Sequence, residues 1–338
     1  MISYEDLKKF DPQKMYKIYD IWPEIAQKHY ESDLVPIKFQ EYSHIVFAGM
    51  GGSGAISDIF SAILSKTDTH VEVVKGYLLP QTVNSKSLIV TTSVSGNTEE
   101  TLSILNYAKK SDSNVIAFSD GGKMEKFCNY NKINHRKILT EHSPRASFTG
   151  FLFSMLKVLE PIIPIQEKDI VNSIKKLEEQ KIKINSSNLT NDNPALSLAR
   201  YLDNIPLIYY PWGLQAAAVR FKNSLQENTK MHAITEDVIE ACHNGIVAWD
   251  KKSDINPILI QGTDDYIKTK ERWNILKELF KEKNINYSEI YSKEGNILSK
   301  IINLIYVLDY STIYKAVLLE IDPTPVGPID FVKNKLKS

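Results

Sequence analysis

The sequence predicts an α/β protein of two doubly wound halves, each a mostly parallel sheet flanked by helices. Three observations carry that expectation. Runs such as "HIVFAG" (44–49), "SLIVTTS" (87–93) and "NVIAFS" (114–119) are continuously apolar, the pattern of strands buried on both faces. Segments with helical spacing, "SGAISDIFSAIL" (53–64) and "NTEETLSILNYAKK" (97–110), lie between them. The order strand, glycine turn, helix then returns in "IPLIYYPWGLQAAAVRFKNSL" (205–225), as a divergent duplication would leave it. A chain of 338 residues suits two such domains.

Taken in order, residues 4–30 read as one or two amphipathic helices broken near Pro12 and Pro23, within an N-terminal helical segment, 1–40. The first domain is expected over 41–185. "VEVV" (71–74) adds a strand to those above, and a helical stretch around 150–182 closes the domain. The polar "KINSSNLTNDNPA" (183–195) is the expected interdomain linker. The second domain, 195–338, adds a strand at "NPILIQG" (256–262), a helix over 266–284, a strand at "YSEIYS" (287–292) and a long apolar helix over about 296–320. The break "DPTPVGPID" precedes its C-terminal tail.

The bulk composition narrows the partners. Forty-one basic residues balance 41 acidic ones, so no broad field draws nucleic acid or an anionic membrane. Cys128 and Cys242 stand far apart without C-x-x-C spacing, which points to a reduced cytoplasmic protein rather than a disulfide framework or zinc site. The opening residues lack the apolar core of a signal peptide, and no apolar run approaches the ~20 residues that span a bilayer. The expected partner is a small molecule or a second copy of the chain.

"FAGMGGSG" (47–54) places Gly49, Gly51 and Gly54 at the G-x-G-x-x-G spacing of a dinucleotide turn. Such a turn offers backbone N–H groups and a helix N-terminus to any phosphate. An NAD-dependent oxidoreductase also needs an acid at the end of the second strand. "VEVVKGY" ends instead in Lys75 and Gly76, with Glu72 inside the strand, so no cofactor is expected. A second turn, "TTSVSGNTEET" (91–101), sets Ser93, Ser95 and Thr98 around Gly96, with Asn97 or Thr98 to cap the next helix. Three hydroxyls at a helix N-terminus suit a compact dianion. Both turns follow neighbouring parallel strands, so both open at the carboxyl edge of one sheet.

These blocks, with "SDGGKM" (119–124), "SPRASF" (143–148), "QENTK" (226–230), "HNG" (243–245) and "DPTPVGPIDFVKNKL" (322–336), resemble the bifunctional phosphoglucose/phosphomannose isomerase family of the sugar isomerase (SIS) superfamily, in family order across nearly the whole chain. The resemblance implies two SIS-type domains, a homodimer, and metal-free interconversion of fructose 6-phosphate with glucose 6-phosphate and mannose 6-phosphate through a cis-enediol. It makes Ser93, Ser95 and Thr98 the phosphate cradle and sets Gly51, Gly52 and Ser53 beside the sugar. Moving a carbonyl between C1 and C2 needs one base on the face of the enediol. The matched block makes it Glu227, an acid that would otherwise read as solvated; Glu236, Asp237 and Glu240 are rivals, expected on the surface of a following helix. An imidazole suits proton transfer at ordinary pH, so His243 is implied in ring opening across the dimer interface, and its neighbour Cys242 reads as packing. Arg145 matches the arginine that faces the enediolate, and Lys333 matches the family lysine better than Lys335.

Arg220, Lys222 and Lys230 read as the charged face of a helix. The family is credited with dual specificity through room left by a small residue, for which Thr324 is a candidate. Two alternatives stay open: a strict phosphoglucose isomerase, and a non-catalytic SIS module that senses a sugar phosphate. Glu227→Gln separates the second, since only an enzyme would lose turnover.

Overall fold

Nine strands form two wholly parallel sheets in the computed structural model, which describes residues 2–336. The strands are β1 (His44–Gly49), β2 (His70–Val74), β3 (Ser87–Thr92), β4 (Asn114–Ser119), β5 (Asn134–Lys137), β6 (Ile205–Tyr210), β7 (Ile234–Asp237), β8 (Ile255–Gln261) and β9 (Ser288–Tyr291). The first sheet runs β2-β1-β3-β4-β5 and the second β7-β6-β8-β9. Each chain half therefore winds outward one way, returns, and continues the other way. That leaves a topological switch point between β1 and β3 and another between β6 and β8, the places where such sheets bind ligands. Gly49 and Thr92 are register partners at the carboxyl ends of β1 and β3, so the turns that follow these strands are neighbours.

The helices are α1 (Tyr4–Phe10), α2 (Met15–Asp20), α3 (Trp22–Tyr30), α4 (Gly51–Leu64), α5 (Glu99–Ala108), α6 (Gly122–Asn131), α7 (Phe148–Leu159), α8 (Glu167–Ile184), α9 (Pro194–Tyr201), α10 (Gln215–Ser224), α11 (Val238–Ala241), α12 (Ile267–Glu282), α13 (Ile297–Leu318) and α14 (Gly327–Leu336). Pro12 falls in the break between α1 and α2, but Pro23 opens α3, because a proline in the first turn gives up no hydrogen bond. The stretch 150–182 divides at 160–164, where Pro161 and Pro164 cannot extend a helix. Strands β5 ("NHRK") and β7 ("ITED") carry too few apolar residues to be seen in the sequence; both are edge strands. Glu236 and Asp237 consequently lie on β7 rather than on a following helix, and Asp237 caps α11 by accepting from the Ile239 and Glu240 amides.

One continuous apolar core runs from Ile2 to Val317 and draws on both halves. Its spine is α13, long and apolar enough to cross a membrane by composition, yet 94% buried inside the protein. Tyr19, Trp22 and Tyr306 stack at 5.0 Å per pair, tying the N-terminal helices to α13. The Tyr306 hydroxyl donates to the Tyr19 carbonyl (2.6 Å), and the Tyr310 hydroxyl to Asp20 (2.6 Å). The polar segment 183–195 is pinned to the same helix. Asn193 is fully buried, donates to the Asn188 carbonyl and caps α9, while the Tyr314 hydroxyl donates to the Ile184 carbonyl at 2.7 Å.

Candidate functional site

The hydroxyl-rich turn after β3 is built by interlocking glycines. Gly96 adopts φ +65°, and a Cβ there would sit 1.9 Å from the Gly121 carbonyl oxygen. Gly122, at φ +68°, packs tightly in turn against the Ser95 carbonyl and the Asn97 side chain. The "SDGGKM" block thus buttresses the "SVSGNT" turn, with the Met124 amide donating to the Gly96 carbonyl at 2.9 Å. Thr98 stands at the N-cap of α5 but makes no side-chain cap; its hydroxyl pairs with that of Ser93 at 2.9 Å. Ser93 is buried and Ser95 exposed, its Oγ accepting from the Asn97 amide. The first-turn amides of α5 have no side-chain cap, which suits them to an anion.

The "FAGMGGSG" glycines divide into two roles. Cβ atoms at Gly49 and Gly54 would lie 2.9 Å from backbone atoms of Ser53 and Gly49 respectively, so these two let β1 and α4 pack closely. Gly51 supplies the turn at φ +53°, and α4 also starts without a side-chain cap. Gly52 faces the junction of the two halves: its missing Cβ would contact Arg220, Pro144 and Arg145 at 3.4–3.7 Å. At the end of β2, Lys75 pairs with Asp58 at 2.6 Å, where a dinucleotide site would want a free acid.

Arg145, only 4% exposed, joins three distant parts of the chain. Its Nε donates to Asn228 Oδ1 (2.7 Å) and its Nη1 to Glu227 Oε2 (3.4 Å). Its Nη2 donates to the carbonyls of Pro323 (2.6 Å) and Thr324 (2.9 Å). Most of those acceptors are neutral, so the guanidinium keeps much of its positive field. Glu227 rides on a π-helical turn, Leu225–Thr229, that continues α10, and its side chain is 24% exposed. π-turns of this kind are frequent at functional sites.

Arg220 corrects the reading of a charged helix face. It is 2% exposed and bonds Asp309 through Nε (3.0 Å) and Nη2 (2.7 Å), and it also donates to the Arg145 carbonyl at 2.8 Å. Burial opposes its charge, and Asp309 more than restores it, so its pKa lies above the ordinary arginine value. Lys230 stays exposed, as the reading of a charged face expects, but its ammonium donates to the carbonyls of Glu227, Pro323 and Pro325. Partial burial, then the nearby Arg145, lower its pKa.

Glu227, Arg145, Gly52 and the 323–325 segment are therefore in one place. His243 and Lys333 are not brought to it by any hydrogen bond or ion pair among the described residues; His243 is exposed beyond α11 and Lys333 exposed on α14. Asn228, fully buried between Arg145 and Thr312 (2.8 Å), and the Arg220–Asp309 pair escaped sequence reasoning. A signal existed for the pair: Asp309 is the one acid in the largely apolar α13.

Residues 38–159 match the SIS domain family, and residues 191–336 match the bacterial phospho-glucose isomerase C-terminal SIS domain family. The chain is 32% identical to the bifunctional phosphoglucose/phosphomannose isomerase of Caldicellulosiruptor bescii, over 96% of each chain. It is 27% identical to the protein of the same name from Aquifex aeolicus, over 94% of each. Among solved structures, a hypothetical protein from Thermus thermophilus superimposes with a TM-score of 0.75 at 14% identity, covering 98% of this chain and 93% of that one.

Proposed function

Because this chain belongs to the bifunctional phosphoglucose/phosphomannose isomerase family, we propose that it interconverts fructose 6-phosphate with glucose 6-phosphate and mannose 6-phosphate, with Glu227 as the proton-transferring base. The observation that carries this reading is the Arg145 junction, which holds a carboxylate and a cation side by side against the Gly51–Ser53 turn. The phosphate rests on Ser93, Ser95, Thr98 and the uncapped start of α5. Glu227 takes a proton from C1 of the ketose while the C2 oxygen gains one, and the cis-enediol carries both hydroxyls. Glu227 then returns a proton to C2 while the C1 hydroxyl gives up its proton, and C1 becomes the aldehyde carbon. Return to either face of C2 gives the glucose or the mannose epimer. Arg145 stabilises the negative charge that develops on the enediolate oxygens.

His243 opens the sugar ring from the partner chain of a homodimer; its exposure, with no bond tying it to the Arg145 junction among the described residues, supports that reading. Lys333, on α14, is the second cation offered to the developing enediolate. The organisation behind this is an N-terminal helical segment, 1–40, and two SIS-type units, 41–185 and 195–338. Cys128 and Cys242 are free, which suits a reducing cytoplasm.

The test is a coupled assay with fructose 6-phosphate that detects glucose 6-phosphate and mannose 6-phosphate separately. Both products are expected, and Glu227→Gln should lower kcat by roughly 10²–10⁴-fold for each with KM little changed. Glucose 6-phosphate alone would reduce the protein to a strict phosphoglucose isomerase. Neither product, with fructose 6-phosphate still bound, would make it a sensor.

A further inference from the structure

The amino edge of the first sheet, opposite the sugar-phosphate turns, carries a second cluster. His44 and His70 open the neighbouring strands β1 and β2 as register partners, with ring centroids 4.8 Å apart. Glu72, two residues along β2, returns to the face of His70, and its carboxylate lies 3.9 Å from His44 Nε2. One ligand-capable atom from each of the three residues lies within 4.8 Å of the others. His44 is 4% exposed, and its Nε2 is buried with no hydrogen-bond partner. A buried polar atom of that kind calls for an explanation. Burial, followed by the neighbouring His70, holds the His44 pKa below the ordinary histidine value.

We propose that His44, His70 and Glu72 bind a divalent transition-metal cation of the Zn²⁺ type through two imidazole nitrogens and one carboxylate oxygen, with water in the remaining position. Imidazole and carboxylate together favour such an ion over Mg²⁺ or Ca²⁺. Tetrahedral ligands at zinc distances stand about 3.3 Å apart, so the triad closes by about 1.5 Å on binding. His70 and Glu72 have that freedom, because β2 is an edge strand paired only with β1. His44 Nδ1, 3.4 Å from Ser87 Oγ, can donate to that hydroxyl once Nε2 carries the metal. The ion sits about 15–20 Å, a six-residue strand, from the carboxyl edge. It ties the edge strand to the sheet and takes no part in the isomerisation, which the proposed enediol route completes with protein acids and bases alone.

Tag-free, chelator-stripped, full-length protein should be titrated with ZnSO₄ by calorimetry and melted with and without the metal. One Zn²⁺ per chain should bind and raise Tm. His70→Ala and Glu72→Gln should each weaken binding by roughly tenfold or more, and Zn²⁺ should then leave Tm unmoved. Both positions are surface-accessible, so unchanged circular dichroism and fructose 6-phosphate turnover are expected in the variants. Absence of saturable binding, or His70→Ala binding Zn²⁺ as tightly as the parent, would overturn the site.

Discussion

Two arginines meet at the junction between the halves, and their surroundings give them different work. Arg220 is neutralised by Asp309, which also accepts from Ser224 at 2.7 Å, so it serves the structure. Arg220→Met would strand a carboxylate that is 0% exposed, at a cost of about 3–5 kcal/mol and a matching fall in Tm. Arg145 has mainly carbonyl oxygens for company, so Arg145→Met should spare more stability and lower kcat by roughly 10²–10³-fold, measured well below the Tm. Protonation adds a third expectation. Burial lowers the pKa of His29, His44 and His135 from an ordinary 6.5. A histidine that folds neutral lets the unfolded chain bind protons first, so this stability is complete above about pH 6.5 and is lost as pH falls through that value. Melting curves from pH 7.5 to 5.5, in metal-free buffer, should show Tm declining; a flat profile would refute it. Residue roles were unevenly legible. The roles proposed for Glu227 and Arg145 come from their motif blocks, and the structure brings those blocks together, whereas Arg220 sits in a helix whose spacing looks like an ordinary charged face. Its partner lies 89 positions away, and no local pattern links them.

At the scale of elements, the turn proposed to hold the phosphate is a two-part construction. Gly96→Ala would drive a methyl into the Gly121 carbonyl at a positive φ, so the turns of 93–98 and 119–122 must separate. The expected outcome is a raised KM for fructose 6-phosphate together with a lower Tm. The strands β1, β3, β4, β6 and β8 were legible because burial on both faces makes them continuously apolar. The edge strands β2 and β9 kept enough apolar and aromatic residues to be read, whereas β5 (NHRK) and β7 (ITED) are too polar to carry that signature. The π-turn under Glu227 was equally hidden: it depends on how "LQENT" closes against α13, where Asn228 reaches Thr312.

At the scale of the molecule, the boundaries drawn from sequence at 40 and 185 cut through a shared core. Residues 1–185 expressed alone should lack a fixed tertiary structure, read as a lost near-ultraviolet dichroism signal, because α13 supplies the other wall of their core. The proposed homodimer has its own test. Mixed dimers of Glu227→Gln and His243→Ala chains each regain one intact site if His243 crosses the interface. Random re-association should then restore about a quarter of parental activity from two inactive stocks; no recovery would place His243 within its own chain's site.

The aromatic stack between Trp22 and Tyr306 also sets a schedule for biosynthesis. Asp20 and Tyr310 are 290 positions apart, so a ribosome adding about 5–20 residues per second needs roughly 15–60 s to deliver the second after the first. Throughout that interval the nascent N-terminal helices show Tyr19 and Trp22 to whatever binds exposed aromatics. Helices α1–α3 are made long before α13 yet find their place only with it, so the growing chain is a client for chaperones until α13 has left the exit tunnel.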